Sequence, residues 1–292
     1  MNKKIVIDWL LVVILSIIWG SSFILMKKSL IKFSYFEVGA YRLIISLIVL
    51  VPFLPSVIKN LKKKHILPIS IVGIIGTLLP AIFFAKSQLH VKSALAGMLN
   101  SLTPIFTLTI SVLIFKRGWN IYNLIGLTIS LAGTFILLNP TNVYDLNIKY
   151  TSPIILATLF YAISINTIRE RLKELKPIEI AAGSSFAASI IPLIYIFGSN
   201  VSTKINHIII NFTHFTYLII LGLVCTSVAI ILFNKLIKRT NALFASSTTY
   251  LIPVFAIIWG LIDYEKLDIN ELIGISIILI GVYTMNSVQN KI

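Results

Sequence analysis

The chain has 292 residues, 57% of them hydrophobic and only 12% charged, and its 25 Lys and Arg against 10 Asp and Glu give a net charge of +15. A mean hydropathy of +0.95 excludes an ordinary soluble domain, and runs such as Leu43 to Phe53 and Ile273 to Val282 offer no polar face to water. The basic excess reads as an orientation signal and an anchor to anionic lipid, so membrane lipid is an expected partner and nucleic acid is not.

Windows of about 20 residues place ten spans, centred near Leu15, Ile45, Ile75, Thr103, Ile129, Phe160, Ala188, Val224, Val254 and Ile278. The expected fold is an all-α membrane protein with ten transmembrane helices. Its opening stretch, MNKKIVIDWLLVVILSIIWGSSF, has no small-residue cleavage site before a polar region and reads as the first span, not a signal peptide. An even number of spans puts both termini on one side. With that side cytoplasmic, the inner segments hold the larger share of the basic residues, including Lys59, Lys62, Lys63, Lys64, Lys116, Arg117, Arg169, Arg171, Lys238 and Arg239. The expected location is thus the inner cell membrane, with both termini cytoplasmic. Cys225, the one cysteine, falls within the eighth span and rules out an intramolecular disulfide.

The chain also repeats itself. NSLTPIF (100 to 106) aligns with TYLIPVF (249 to 255), and VGIIGTLLPAIFFAK (72 to 86) with LGLVCTSVAIILFNK (221 to 235) at the same offset. The second pair matches Gly73 with Gly222, Thr77 with Thr226 and Phe84 with Phe233. LIGLTISLAG (124 to 133) matches LIGISIILIG (272 to 281) after a one-residue slip. These blocks divide the chain into repeats at 1–148 and 149–292, each of five spans. Five is odd, so the second repeat is expected to be inverted, with alternating access around a site at the mid-membrane interface.

In the fourth span Asn100, Thr103, Thr107 and Ser111 recur at helical spacing and form a polar stripe that should not face lipid. Pro104 removes a helical hydrogen bond there. In the ninth span Ser246, Thr249 and Pro253 repeat the pattern with Tyr250 alongside. Two kinked, polar-striped helices are expected to form opposite walls of a cavity, although such side chains also join helices to one another.

The motifs WGSSF (19 to 23), AYRLIIS around Arg42, LNSLTPIF (99 to 106), SSTTYLIPVFAIIWGLIDYEKL (246 to 267) and ELIGISIILIGVY together resemble the EamA-type permeases of the drug/metabolite transporter superfamily. The resemblance covers nearly the whole chain. It implies inner-membrane carriers built from two inverted five-span halves. It also implies a Glu after the fourth and ninth spans; Glu265 fits the second, whereas the first half has Lys116 and Arg117. Further cavity walls are implied in the first and sixth spans, where Trp19, Ser22 and Met26 share one face and Tyr161, Ser164 and Asn166 lie in the equivalent helix.

Arg42 is the one charge set deep in a span, where charge is expensive and marks function by default. Bracing, for instance by Glu37, and a gating or substrate role are both open to it. Gly126, Ser130 and Gly133, opposite Gly274 and Gly281, form small-residue stripes suited to close helix packing.

No GxxxxGK[ST] run is present to hold nucleotide phosphates. His65, His90, His207 and His214 are scattered without metal-ligand spacing, so neither a metal nor another cofactor is expected. Asp263, Glu265, Asp268 and Glu271 cluster in a loop expected outside the membrane, as a solvated helix-capping patch. The expected function is a secondary transporter of small metabolites, amino acids or related neutral and zwitterionic solutes, working as an exporter and not as an enzyme. The alternative is an intramembrane enzyme or flippase acting on lipid-linked substrates, which would need a converging set of acids, His or Lys at one depth.

Overall fold

Among the described residues, six helical stretches are long and apolar enough to cross a membrane: Ile5–Ser29, Tyr35–Asn60, Lys63–Gln88, Ile148–Arg171, Pro177–Phe197 and Phe212–Arg239. In this computed structural model the described residues are 3–91, 93–138, 147–198, 200–262 and 269–287, and among them no residue is in a strand. In chain order the helices are α1 (Lys3–Ser29), α2 (Tyr35–Leu50), α3 (Leu54–Asn60), α4 (Lys63–Ser70), α5 (Leu79–Gln88), α6 (Ser93–Asn100), α7 (Thr103–Leu113) and α8 (Ile121–Leu138). They continue as α9 (Ile148–Arg171), α10 (Pro177–Phe197), α11 (Val201–Ile210), α12 (Phe212–Gly222), α13 (Ala229–Arg239), α14 (Ala242–Ser246), α15 (Thr248–Ile262) and α16 (Ile269–Ser287).

Where the fourth, fifth, ninth and tenth spans were expected, the apolar helices are shorter: Thr103–Leu113, Ile121–Ile136, Ala242–Phe255 and Ile273–Met285. The fourth is interrupted by a turn at Ser101 and Leu102, and the ninth by a turn at Ser247. The polar stripe from Asn100 to Ser111 therefore does not run along one continuous helix. Pro104 accordingly sits in the first turn of α7, where its missing N–H has no helical partner to lose, whereas Pro253 lies inside α15.

Local chemistry sets the ends. Ser34 caps α2 in a reciprocal box with Glu37, Asn147 caps α9 through the amide of Lys149, and Asn241 caps α14 through that of Phe244. Two π-helical stretches, Ile71–Leu78 and Leu223–Val228, fall at matching places in the sequence repeat. In each a threonine hydroxyl fills the widened turn: Thr77 donates to the carbonyl of Val72 at 3.0 Å and Thr226 to that of Leu221 at 2.8 Å.

Glycines let helices meet at backbone distance. A Cβ on Gly73 would lie 2.5 Å from the carbonyl oxygen of Ser184 and 2.8 Å from the Ala187 Cβ; one on Gly222 would lie 2.6 Å from the Ile45 Cβ and 2.8 Å from the Arg42 carbonyl oxygen. The stretch carrying Gly73 thus packs on α10 as the stretch carrying Gly222 packs on α2. α8 and α16 meet in the same manner, as the small-residue stripes predict. A Cβ on Gly126 would approach the Met285 nitrogen at 2.4 Å, and one on Gly133 would approach the Ile278 nitrogen at 2.7 Å. Partners that fall in number as positions rise mean that the two helices run antiparallel.

Apolar residues such as Leu10, Ile48, Leu67, Leu113, Ile194 and Tyr283 remain exposed on the outer faces, as lipid-facing residues must. The protein is a multi-pass membrane protein.

Candidate functional site

A cavity of about 130 Å³ lies among α1, α2, the two π-helical stretches, α5 to α7, α9, α13 and α15. Its walls come in matched pairs. Trp19, Ser22, Phe23 and Met26 of α1 correspond at one constant interval to Tyr161, Ser164, Ile165 and Ile168 of α9. At a second constant interval, Gly76, Thr77, Ala81 and Phe84 correspond to Cys225, Thr226, Ile230 and Phe233, and Asn100 and Thr103 to Thr249 and Ile252. Arg42, Leu43, Val72 and Asn234 line the cavity without such a mate in the wall.

The aromatic walls pair in the same way. Trp19 meets Phe233 edge-on with ring centroids 5.0 Å apart, and its counterpart Tyr161 stacks near Phe84, the counterpart of Phe233, at 6.0 Å. Trp19 is fixed further by donating its indole N–H to the Cys225 carbonyl at 3.2 Å. Gly76 leaves room for Ser164, whose Oγ would sit 2.2 Å from a Cβ there.

One proline acts on this wall through the backbone. Pro253, inside α15, cannot donate to the carbonyl of cavity-lining Thr249. The carbonyl of cavity-lining Asn100, at the break before α7, accepts from the Thr103 hydroxyl at 2.8 Å.

Nine of the expected site residues therefore come together: Trp19, Ser22, Met26, Arg42, Asn100, Thr103, Tyr161, Ser164 and Thr249. Asn166 and Tyr250 lie elsewhere, and Thr107, Ser111 and Ser246 of the two polar stripes are likewise not among the lining residues. Asn166 is buried, and its amide donates to the carbonyls of Thr107 at 3.1 Å and Ala162 at 3.0 Å, so it joins α9 to α7. Tyr250 is fully buried in an apolar cluster, its hydroxyl without a hydrogen-bond partner among the described residues. Sequence reasoning had not assigned Thr77, Phe84, Thr226, Phe233 and Asn234 to the wall. The signal was present, because Thr77 and Thr226, like Phe84 and Phe233, already align in the repeat.

Arg42 donates from Nε at 3.1 Å and from Nη2 at 3.0 Å to the Thr226 hydroxyl. It has no ion pair among the described residues. Glu37 does not serve it: that carboxylate accepts from the Ser34 amide and hydroxyl at 2.9 and 2.8 Å.

Ion pairs gather at one end of the bundle, most of them between the ends of helices distant in sequence. Glu174 is held by Lys62 at 2.9 Å and by Lys64, Glu170 by Arg117 at 2.5 Å and Lys173 at 3.2 Å, and Asp8 by Arg239 at 2.5 Å. Hydrogen bonds from Lys64 and Lys62 keep the Glu174 carboxyl well below the usual range, at about 2. Asp263, Glu265 and Asp268 lie outside the described residues, as does the side chain of Glu271. Among the described residues no three His, Cys, Asp or Glu approach closely enough to hold a metal.

Long apolar helices surrounding a largely apolar, aromatic-walled cavity with a few polar groups define a multi-pass membrane protein with an internal cavity. The model of the EamA-like transporter family matches residues 7–139 and 151–287. The chain belongs to that family and is a membrane transporter. It is similar to an uncharacterized transporter of Archaeoglobus fulgidus, 22% identical over 280 residues that cover 94% of this chain and 97% of the relative. A solved crystal structure shares the fold with a TM-score of 0.74 at 14% identity, covering 97% of this chain and 98% of the other.

Proposed function

We propose that the protein is a secondary carrier of small metabolites, amino acids or related neutral and zwitterionic solutes, that works by alternating access. The observation that carries this reading is the pairing of the cavity wall, in which the same positions of two sequence repeats face each other across one space. On this reading the repeats are 1–148 and 149–292, each contributes five membrane helices, and the second is inverted. The antiparallel run of α8 and α16, equivalent helices of the two repeats, supports inversion, since a parallel repeat would keep them parallel. The reciprocal approaches of Gly73 to α10 and Gly222 to α2 support a two-fold relation between the halves. A pair of this kind has two states of similar energy, related by exchange of conformations between the halves.

The end bearing the ion pairs is taken as cytoplasmic, with both termini there in the inner membrane, because Lys and Arg concentrate on that side. Its pairs would then close the cytoplasmic entrance by joining residues of the first repeat to residues of the second. The described walls contain no Asp, Glu or His to carry a proton. A metabolite more concentrated in the cytoplasm than outside would leave the cell through such a carrier, so the direction read is export.

The test is untargeted metabolite profiling of medium and cytoplasm from cells producing either the wild type or an Asn100→Ala, Thr249→Ala double variant at equal membrane abundance. The expected result is one solute class enriched in the medium only with the wild type. Identical profiles would reject the cavity as a transport site.

A further inference from the structure

The cavity wall is largely paired in position, with Arg42, Leu43, Val72 and Asn234 as its unmatched members, and Arg42 is its one charged side chain among the described residues. By the reciprocal glycine contacts, the position equivalent to Arg42 in α2 is Ser184 in α10, so a guanidinium stands in one half and a short hydroxyl in the other. That guanidinium carries five N–H donors. Two of its nitrogens share a single acceptor, the neutral hydroxyl of Thr226. Among the described residues no carboxylate pairs with it, Glu37 is engaged by Ser34, and the walls contain no Asp or Glu. The titratable groups that act on it are the phenol of Tyr161 and the thiol of Cys225. Both are neutral at pH 7 by their ordinary values.

A cation within a membrane span is otherwise found paired or facing a polar space. Here it faces a cavity and carries donors to spare. The planar fork of an arginine matches the two oxygens of a carboxylate. One guanidinium neutralises one negative charge; a phosphate ester, with nearly two at neutral pH, would leave the second unmatched. The remaining wall sets the rest of the ligand. A cavity of about 130 Å³ suits a small ligand. The Trp19–Phe233 and Phe84–Tyr161 pairs present aromatic surface to an apolar body and, by cation–π attraction, to an ammonium group.

We propose that Arg42 anchors the carboxylate of the transported solute, which is a small monocarboxylate with an apolar body, zwitterionic amino acids included. The assignment rests on the carrier reading above. It explains why the charge is placed in one repeat alone: a single carboxylate needs a single partner, and a second arginine across the cavity would remain unpaired.

The test uses the purified full-length chain and the thermal unfolding midpoint as a function of ligand concentration. The probes are L-valine, L-leucine and L-phenylalanine, their deaminated acids isovalerate, isocaproate and phenylpropionate, and the carboxamides of the three amino acids. The carboxylates should stabilise the wild type with apparent affinities at least about tenfold above the matched carboxamides, the value of a charge-assisted hydrogen bond. Arg42→Gln should abolish that preference, whereas Arg42→Lys, with the charge but not the fork, should retain part of it. Where Arg42→Gln does not fold, Arg42→Lys and Thr226→Val carry the test, each expected to narrow the acid-to-amide ratio. Equal response to acids and amides, no response to any of the probes, or an Arg42→Gln protein that still prefers acids would overturn the assignment. The metabolite profile scores the carrier reading separately, since it requires no choice of probe.

Discussion

Gly73 and Gly222 should each refuse a single methyl group, while Gly97, equally helical, should accept one. The added Cβ at Gly73 meets a backbone oxygen at 2.5 Å and a neighbouring Cβ at 2.8 Å; at Gly222 it meets the Ile45 Cβ at 2.6 Å and the Arg42 carbonyl oxygen at 2.8 Å. These atoms belong to the backbone or to the first side-chain carbon, so relief requires whole helices to move by several tenths of an ångström. Overpacking of this kind is worth about 1–3 kcal/mol. With a shift of about 2–4 °C per kcal/mol for a chain of this size class, Gly73→Ala and Gly222→Ala should each lower the unfolding midpoint by on the order of 5 °C. At Gly97 the same Cβ would find only the Pro253 side chain, 3.7 Å away. There the gain in helix propensity, up to about 1 kcal/mol, should leave stability unchanged or slightly raised. Gly222→Ala should also impair transport more than Gly73→Ala, because it pushes on the backbone that carries Arg42. The assay is thermal unfolding of the purified variants in one detergent. A Gly73→Ala or Gly222→Ala protein as stable as the wild type would refute the close reciprocal packing, as would an equal loss at Gly97.

Other outcomes follow from the polar groups. Asn166→Leu should lower stability by about 1 kcal/mol, the value of an interhelical bond in a membrane, with the solutes seen in the metabolite profile unchanged; a changed solute class would return Asn166 to the cavity wall. Glu174 has a folded pKa of about 2 against an ordinary 4.5, so its contribution to stability is present above the unfolded value and is lost as pH falls through the folded one. The difference in unfolding midpoint between wild type and Glu174→Gln should accordingly be full near neutrality and shrink between about pH 4.5 and 2. It should also fade in about 1 M salt because the pairs are exposed. A difference independent of both pH and salt would contradict the assigned ion pairs.

The spans most legible in the sequence are those carried by one continuous helix long enough to cross a membrane; α1, α9 and α10 are of this kind. The fourth and ninth were harder to place. Their Pro, Ser, Thr and Asn residues mark an irregular helix but not where it breaks, and the turns at Ser101–Leu102 and Ser247 fall at unequal places in the two repeats. The cavity was legible where polarity conflicts with the membrane, at Asn100, Thr103, Thr249 and Arg42. It was misread at Asn166 for the same reason: an amide that cannot face lipid has two solutions, a cavity or a neighbouring carbonyl, and spacing alone does not choose between them. Thr226 and Phe233 were hidden because a hydroxyl in a π-helical turn and a phenylalanine in an apolar run look ordinary until the repeat is traced onto the fold.

The central claim is that one cavity opens in turn to each side of the membrane. Cys225 is the only cysteine in the chain, and it lines that cavity. An anionic, membrane-impermeant methanethiosulfonate, drawn toward the neighbouring Arg42 guanidinium, should therefore modify Cys225 in both right-side-out and inside-out vesicles, with mass spectrometry as the readout. Modification from both sides is the result the account predicts. Modification from one side only, under conditions in which the solute is transported, would contradict it.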